Sequence, residues 1–152
     1  MIVPYTAFPS RNPFPTLGGR FTMPRSAMAV RIFGPTGSSL EDGLLDTGSD
    51  ETVFPTHIAA KVGIDLSQVP IRKVHLAGRG IVPCRNVAVR LRITDGFHET
   101  YEWTTLVAFT PIPLVRALLG YAGFLQYFDA NFRGADEEVI LFPNGSFPGQ
   151  VP

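Results

Sequence analysis

The most informative segment of the chain reads Leu44-Leu45-Asp46-Thr47-Gly48-Ser49-Asp50-Glu51-Thr52-Val53. Its two leucines follow Gly43 and are typical of an interior strand, and Gly48 lets the backbone turn back at once. The small polar side chains of Thr47 and Ser49 flank this turn and can hydrogen-bond a carboxylate. The segment therefore predicts that Asp46 is held in one orientation at the end of a buried strand.

Length and charge predict one small globular unit. The chain has 152 residues, and a domain of that size buries roughly two thirds of the surface that its unfolded form exposes. Its net charge is +0, from 13 Lys and Arg against 13 Asp and Glu. No overall basic field is present to attract nucleic acid or an anionic membrane, so we expect neither as a partner.

The sequence gives three indications of compartment. Cys84 is the single cysteine, so no intrachain disulfide is possible. No apolar run reaches the roughly 18 residues of a membrane span. The N-terminus is interrupted by Pro4, Pro9, Pro13 and Pro15 and lacks the continuous apolar core of a signal peptide. We expect a soluble, cytoplasmic protein.

The two ends of the chain differ in composition from its centre. Residues 1–26 mix prolines with aromatic residues, which rules out a helix or an interior strand. This N-terminal extension is interpreted either as a mobile leader or as an arm whose aromatic residues dock on this subunit or its partner. Residues 143–152 hold three prolines and two glycines and are expected to be a loose tail.

The central domain, residues 27–142, shows mainly the patterns of strands. Ala27 to Phe33, the turn residues 34–38 and the strand that ends at Asp46 predict a hairpin. Pro55 to Gly63 predicts a short helix. Two alternating runs around Asp95-Gly96, from Val87 to Ile93 and from Phe97 to Phe109, predict a second hairpin.

The C-terminal part of this domain combines three patterns. Leu118-Leu119-Gly120 repeats the order of two apolar residues and a glycine found before Asp46. Phe124, Leu125 and Phe128 follow at helical spacing. Glu138 to Phe142 predicts a last strand.

The segment around Asp46 resembles the active-site loop of the aspartic peptidases. With a single Asp-Thr-Gly in the chain, the sequence is similar to the retropepsin-like family, in which two identical chains each contribute one aspartate. The resemblance implies a mainly β fold with a closed barrel and short helices, active as a symmetric homodimer. It also implies an aspartic endopeptidase that acts on peptides or proteins without a cofactor or a metal.

A peptidase of this kind needs two carboxylates. One acts as a base that activates water, and the other as an acid that protonates the departing nitrogen. The two share one proton, because like charges cannot both ionise cheaply at short range. Since this chain has one suitable loop, only a twofold dimer supplies the pair, with Asp46 from each subunit as the catalytic residue.

The resemblance assigns roles to the neighbours of Asp46. Thr47 bonds across the dimer axis, and Gly48 allows the two loops to approach. Ser49, a candidate substrate-binding residue together with Asp50, is expected to donate a hydrogen bond to the ionised carboxylate, which would lower the pKa of the catalytic pair. Asp50 matches the acidic residue of the family that contacts the substrate backbone and the partner subunit.

Two further family elements are expected. The hairpin from Val74 to Val82 resembles the flap that closes over substrate, with its substrate-binding residues at the tip: Ala77, Gly78, Arg79 and Gly80. The same turn would also serve an ordinary β-hairpin. Leu118-Leu119-Gly120 resembles the start of the C-terminal helix of the family, but Tyr121-Ala122 stands where the family usually has arginine and then aspartate or asparagine.

Other types of site receive less support. His57, His75 and His98 are widely separated and lack the spacing of metal ligands, so no metal site is expected. Cys84 is interpreted as a small buried side chain rather than a nucleophile. The alternative function that stays open is a non-catalytic retropepsin-like module for dimerisation or protein binding.

Overall fold

The computed structural model describes residues 1–76, 80–95 and 99–150. Strands dominate these residues, in the order β1 (Ile2–Pro4), β2 (Thr6–Phe14), β3 (Arg20–Arg25), β4 (Ala27–Gly34), β5 (Gly37–Leu45), β6 (Val53–Pro55), β7 (Arg72–Leu76), β8 (Gly80–Thr94), β9 (Thr100–Thr110), β10 (Ala117–Leu119), β11 (Phe128–Arg133) and β12 (Glu138–Pro143). The predicted mainly β fold is confirmed.

The largest sheet positions the Asp46 segment. Its strand order is β4-β5-β10-β6-β9-β8-β7, and β8 pairs with β4 as well. The short strand β10 lies between β5 and β6, with Leu118 opposite both Leu44 and Val53. Because β5 ends at Leu45 and β6 begins at Val53, the connecting residues 46–52, here called the acid loop, span the end of β10.

The helix and the first hairpin agree with those predicted from the sequence. The helix α1 runs over Thr56–Lys61, and Pro55 occupies its N-cap position. Its buried residues Ile58 and Ala59 belong to the main hydrophobic core. The strands β4 and β5 pair antiparallel from Ala27 opposite Leu44 to Gly34 opposite Gly37, as predicted.

The second predicted hairpin is formed by β8 and β9. These strands pair antiparallel from Arg85 opposite Phe109 to Thr94 opposite Thr100. The alternation of apolar and polar residues corresponds to a buried face in both strands. This face carries Val89, Leu91, Ile93, Tyr101 and Trp103. Gly96 of the predicted turn lies outside the described residues.

The expected C-terminal helix at Leu118-Leu119-Gly120 is wrong. These apolar residues end the strand β10, and only a short 3-10 helix, Leu125–Tyr127, follows before β11. Gly123 has a left-handed backbone with φ 91°, which interrupts a right-handed helix. Phe124 and Phe128 are at helical spacing in the sequence, but they do not share a helix. Both pack on Trp103, with ring centroids 5.5 Å away in each case.

The two ends of the chain are structured. β1 pairs antiparallel with β12 in a three-stranded sheet of order β1-β12-β11, and β2 pairs with β3 in a separate hairpin. This pairing contradicts the wholly mobile leader, whereas the division of the chain at residue 26 stays a prediction. In the C-terminal segment, the Phe147 ring lies 5.7 Å from Trp103 and 5.4 Å from Phe128, so the expectation of a loose tail is wrong for residues 143–150.

No helix within the described part of the chain is long and apolar enough to cross a membrane.

Candidate active site

The carboxylate of Asp46 is oriented by its own loop. The Gly48 N–H donates to Asp46 Oδ1 at 3.0 Å, and the Ser49 N–H donates to the Asp46 carbonyl oxygen at 3.1 Å. The Asp46 N–H in turn donates to the Leu119 carbonyl at 3.1 Å. Asp46 is half-buried, so the loop fixes the carboxylate while leaving part of it accessible to water.

A second segment holds the acid loop from the side. Residues 119–122, here called the clamp segment, exchange backbone hydrogen bonds with the loop. The Tyr121 N–H donates to the Ser49 carbonyl at 2.9 Å, the Ala122 N–H to the Asp50 carbonyl at 2.9 Å, and the Thr52 N–H to the Ala122 carbonyl at 2.8 Å. The loop is therefore bonded along most of its length and has little freedom to move.

The close approach of the clamp segment to the acid loop explains the glycine at position 120. A Cβ atom at Gly120 would lie 2.2 Å from the Glu51 carbonyl oxygen and 2.7 Å from that of Ser49. Both oxygens belong to the backbone of the acid loop, so neither can move aside as a flexible side chain would. Gly120 thus permits the contact between the two segments.

Thr47 and Gly48 are exposed. A Cβ atom at Gly48 would meet only Asp46 Oδ1, at 3.3 Å. The tip of the acid loop is therefore open on the side where a second copy of the loop would have to approach. The expected roles of Thr47 and Gly48 at a dimer axis stay predictions.

The hydrogen bond expected from Ser49 to the catalytic carboxylate is wrong. Ser49 is buried, and its Oγ donates to the Glu51 carbonyl at 2.8 Å. The Ser49 carbonyl is bonded to Tyr121 of the clamp segment, so both the hydroxyl and the carbonyl of Ser49 have partners within its own chain. Its substrate-binding role stays a prediction that this geometry does not favour.

Asp50 is exposed, and its backbone is bonded to Ala122. Tyr121, which precedes Ala122 in the clamp segment, is 64% exposed and stands at the position where the family usually has an arginine. The contact of Asp50 with substrate therefore remains a prediction without a side-chain partner to support it among the described residues.

Sequence reasoning missed the contact of Glu51, in the acid loop, with two side chains beside the loop. Glu51 accepts hydrogen bonds from Arg72 at one carboxylate oxygen and from Asn86 at the other, the latter at 3.1 Å. Arg72 begins β7, and Asn86 lies in β8. No motif relates residues so far apart in sequence, and only the charge of Glu51 and Arg72 could have suggested the contact.

The structure describes the predicted flap only in part. β7 and β8 form the expected hairpin, with Leu76 opposite Gly80, and Gly80 has a left-handed backbone with φ 69°. Ala77, Gly78 and Arg79 lie outside the described residues. Substrate binding by all four residues stays a prediction.

Among the described residues, Cys84 and His57 take no part in this site, whereas His98 lies outside them. Cys84 is buried as predicted, with 1% exposure, and burial raises the pKa of its thiol. His57 is exposed on α1. Over residues 1–76, 80–95 and 99–150, no three His, Cys, Asp or Glu side chains group closely enough to hold a metal ion.

No protein-family model and no curated protein matches this sequence. Among solved structures, the chain is similar to a retropepsin-like aspartic protease from Rickettsia conorii, with a TM-score of 0.59 and 14% identity over 93% of this chain and 88% of that chain. It is also similar to the EIAV protease complexed with the inhibitor HBY-793, with a TM-score of 0.41 and 23% identity over 63% and 81% of the two chains.

A third similarity is to the retroviral protease-like domain of Ddi1 from Leishmania major, with a TM-score of 0.44 and 11% identity over 80% of this chain and 98% of that chain. The alignment with the Rickettsia structure covers nearly the whole chain and agrees with the mainly β architecture described above. This chain therefore has a retropepsin-like fold.

Proposed function

We propose that this protein is an aspartic endopeptidase that works as a symmetric homodimer and hydrolyses peptide bonds in peptides or proteins. The observation that carries the proposal is the held but accessible carboxylate of Asp46. Its loop is fixed by the bond from Gly48 and by the clamp segment. Such fixed orientation of a reactive acid is what general acid and base catalysis requires.

The proposed reaction uses one Asp46 from each subunit. The ionised carboxylate takes a proton from a water molecule, whose oxygen attacks the peptide carbonyl carbon. Before this attack, the protonated carboxyl group of the other subunit hydrogen-bonds the carbonyl oxygen of the peptide. The tetrahedral intermediate then collapses: the nitrogen takes up the proton of that carboxyl group, the C–N bond breaks, and a carboxylic acid and an amine leave. The pair keeps one proton, which is the one that the first carboxylate took from water. The pKa values that govern this cycle belong to the pair.

The dimer is proposed because one chain supplies one acid loop. A twofold axis beside the exposed tip of that loop would bring Thr47 and Gly48 of both subunits together. The hairpin of β7 and β8 would then cover an extended substrate from above. This arrangement is consistent with a fold that is shared with a retropepsin-like protease.

A second candidate function is a non-catalytic module for dimerisation or protein binding. The observation that favours it is the exposed Tyr121, because retroviral members of the family have an arginine there that forms an ion pair with the acid matched here by Asp50. Without that ion pair, a dimer needs other contacts to keep two acid loops in register. The hydrogen bonds of the clamp segment hold the acid loop within one chain and do not connect it to a second chain.

The test compares the wild type with Asp46→Asn on a mixed peptide library at several pH values. The amide has the shape of the carboxyl group but cannot act as a base, so we expect a loss of about a thousandfold or more in kcat/KM. Asp42→Asn is the matched control, since Asp42 is an exposed acid on the same strand β5 and should leave activity unchanged. Equal activity of Asp46→Asn and wild type would refute the proposal.

A further inference from the structure

Glu51, Arg72 and Asn86 form a closed triangle of hydrogen bonds, here called the Glu51 triad. Arg72 Nη2 donates to Glu51 Oε1, and Arg72 Nε donates to Asn86 Oδ1 at 3.1 Å. Asn86 Nδ2 donates to Glu51 Oε2 at 3.1 Å. Each of the three side chains thus bonds to the other two.

This geometry distinguishes the triad from an ordinary surface ion pair. Isolated exposed pairs contribute little, because water and side-chain entropy offset the attraction. In the triad, both carboxylate oxygens of Glu51 are used, and the Glu51 side chain is only 19% exposed. Charge-assisted bonds with several fixed contacts are stronger and more directional than single pairs.

The triad joins three separate parts of the fold. Glu51 belongs to the acid loop, and its backbone carbonyl accepts the bond from Ser49. Arg72 is the first residue of β7, which is the edge strand of the large sheet and has β8 as its one strand neighbour. The Glu51 to Arg72 bond therefore links this edge strand directly to the loop that carries Asp46.

We propose that the Glu51 triad is a positioning device that fixes the β7 and β8 hairpin relative to the acid loop. Glu51, Arg72 and Asn86 act through the backbone that they hold and are not catalytic residues. The kinetic part of this inference rests on the proposed function, in which the hairpin covers substrate. The structural part, the link between hairpin and loop, is independent of any activity.

The first measurement is hydrogen exchange of the backbone amides in residues 72–76, 80–82 and 84. Arg72→Met removes the charge but keeps most of the aliphatic stem, and we expect exchange there to accelerate about five- to tenfold. Arg90→Met is the matched control: Arg90 is similarly exposed, at 50% against 55% for Arg72, and forms an ion pair with Glu102 at 2.9 Å. The Arg90→Met variant should leave the exchange rates of the amides in residues 72–76, 80–82 and 84 unchanged.

The second measurement is charge reversal. The double variant Glu51→Arg with Arg72→Glu restores an ion pair, and Asn86 can serve it by turning its amide group over. We expect slow exchange to return in the double variant but not in either single variant, as a double-mutant cycle requires of a direct contact. Glu51→Gln, which keeps the shape of the side chain, provides a milder single variant if Glu51→Arg does not fold.

The kinetic readout is the split between KM and kcat. If the hairpin samples other positions, only a fraction of molecules is ready to bind substrate, so KM should rise several-fold while kcat changes less. Unchanged exchange in Arg72→Met, or an equal change in Arg90→Met, would overturn the triad as a link. Faster exchange with an unaltered KM would overturn its role in positioning. A wild type without peptidase activity would count against the proposed function alone, since the exchange result stands without it.

Discussion

At the scale of single residues, the acid loop shows why a motif does not specify each hydrogen bond. The order Asp46-Thr47-Gly48-Ser49 correctly predicts an acid after a strand and a turn at the glycine. It does not predict the partner of the Ser49 hydroxyl, which donates to Glu51 rather than to Asp46. A hydroxyl rotates freely, and the loop backbone around it is held by bonds from the clamp segment, which lies some 70 residues further along the chain.

The first prediction concerns Ser49→Ala. Because the hydroxyl does not bond the Asp46 carboxylate, we expect the acidic limb of the pH profile of kcat/KM to stay in place. A bond to the ionised carboxylate would lower its pKa, so its removal would shift that limb to higher pH. Stability should fall by about 1 kcal/mol, because the Glu51 carbonyl loses a buried donor. An upward shift of the acidic limb would contradict the assigned bond.

The second prediction concerns Thr52→Val. Thr52 is fully buried, and within the described part of the chain its Oγ1 has no hydrogen-bond partner. Replacing such a hydroxyl with a methyl group of similar shape removes an uncompensated polar atom, so we expect stability to stay equal or rise by about 1 kcal/mol.

Thr110→Val is the matched control for this substitution. Thr110 is equally buried, but its hydroxyl donates to the Pro83 carbonyl at 3.1 Å. Its replacement should cost about 1 kcal/mol or more in the free energy of unfolding, measured by denaturant titration. A larger loss in Thr52→Val than in Thr110→Val would show that the Thr52 hydroxyl has a partner.

At the scale of elements, long alternating strands could be predicted and short ones could not. β8 and β9 are 15 and 11 residues long and alternate over much of their length, and such a pattern specifies both the strand and its buried face. β10 has three residues, Ala117–Leu119, which is too short for any period to show. Its place between β5 and β6 depends on pairings across the whole domain, whereas the resemblance of Leu118-Leu119-Gly120 to the family predicts the start of a helix.

The third prediction tests the contact between the clamp segment and the acid loop. In Gly120→Ala, the added methyl group would overlap two backbone carbonyl oxygens of the loop. We expect a loss of about 1–3 kcal/mol in stability, the usual effect of overpacking, together with a large loss of activity because Asp46 is displaced. Gly145→Ala is the control, since a Cβ atom there has no neighbour within 4 Å, and it should change stability by no more than about 0.5 kcal/mol. Equal stability of the two variants would mean that the close approach at Gly120 is not maintained.

At the scale of the whole molecule, the ends of the chain belong to the folded body more than their composition suggests. The prolines and glycines of residues 143–152 predict a loose tail, yet Phe147 packs against Trp103 and Phe128. At the other end, the Arg116 guanidinium lies 3.7 Å from the centre of the Phe8 ring, so the extension docks on its own subunit at that point. Sequence patterns report local preference, whereas these contacts depend on which surfaces the completed fold leaves uncovered.

The central claim is that each active site needs Asp46 from two chains. Its most direct test is the activity of mixed dimers, prepared by refolding wild type and Asp46→Asn together in known proportions. Random pairing of the chains makes the fraction of fully wild-type dimers equal to the square of the wild-type fraction. An equal mixture should therefore keep about one quarter of the wild-type activity at the same total concentration. Retention of about one half, in proportion to the wild-type chains, would show that each chain carries a complete site and would contradict the account.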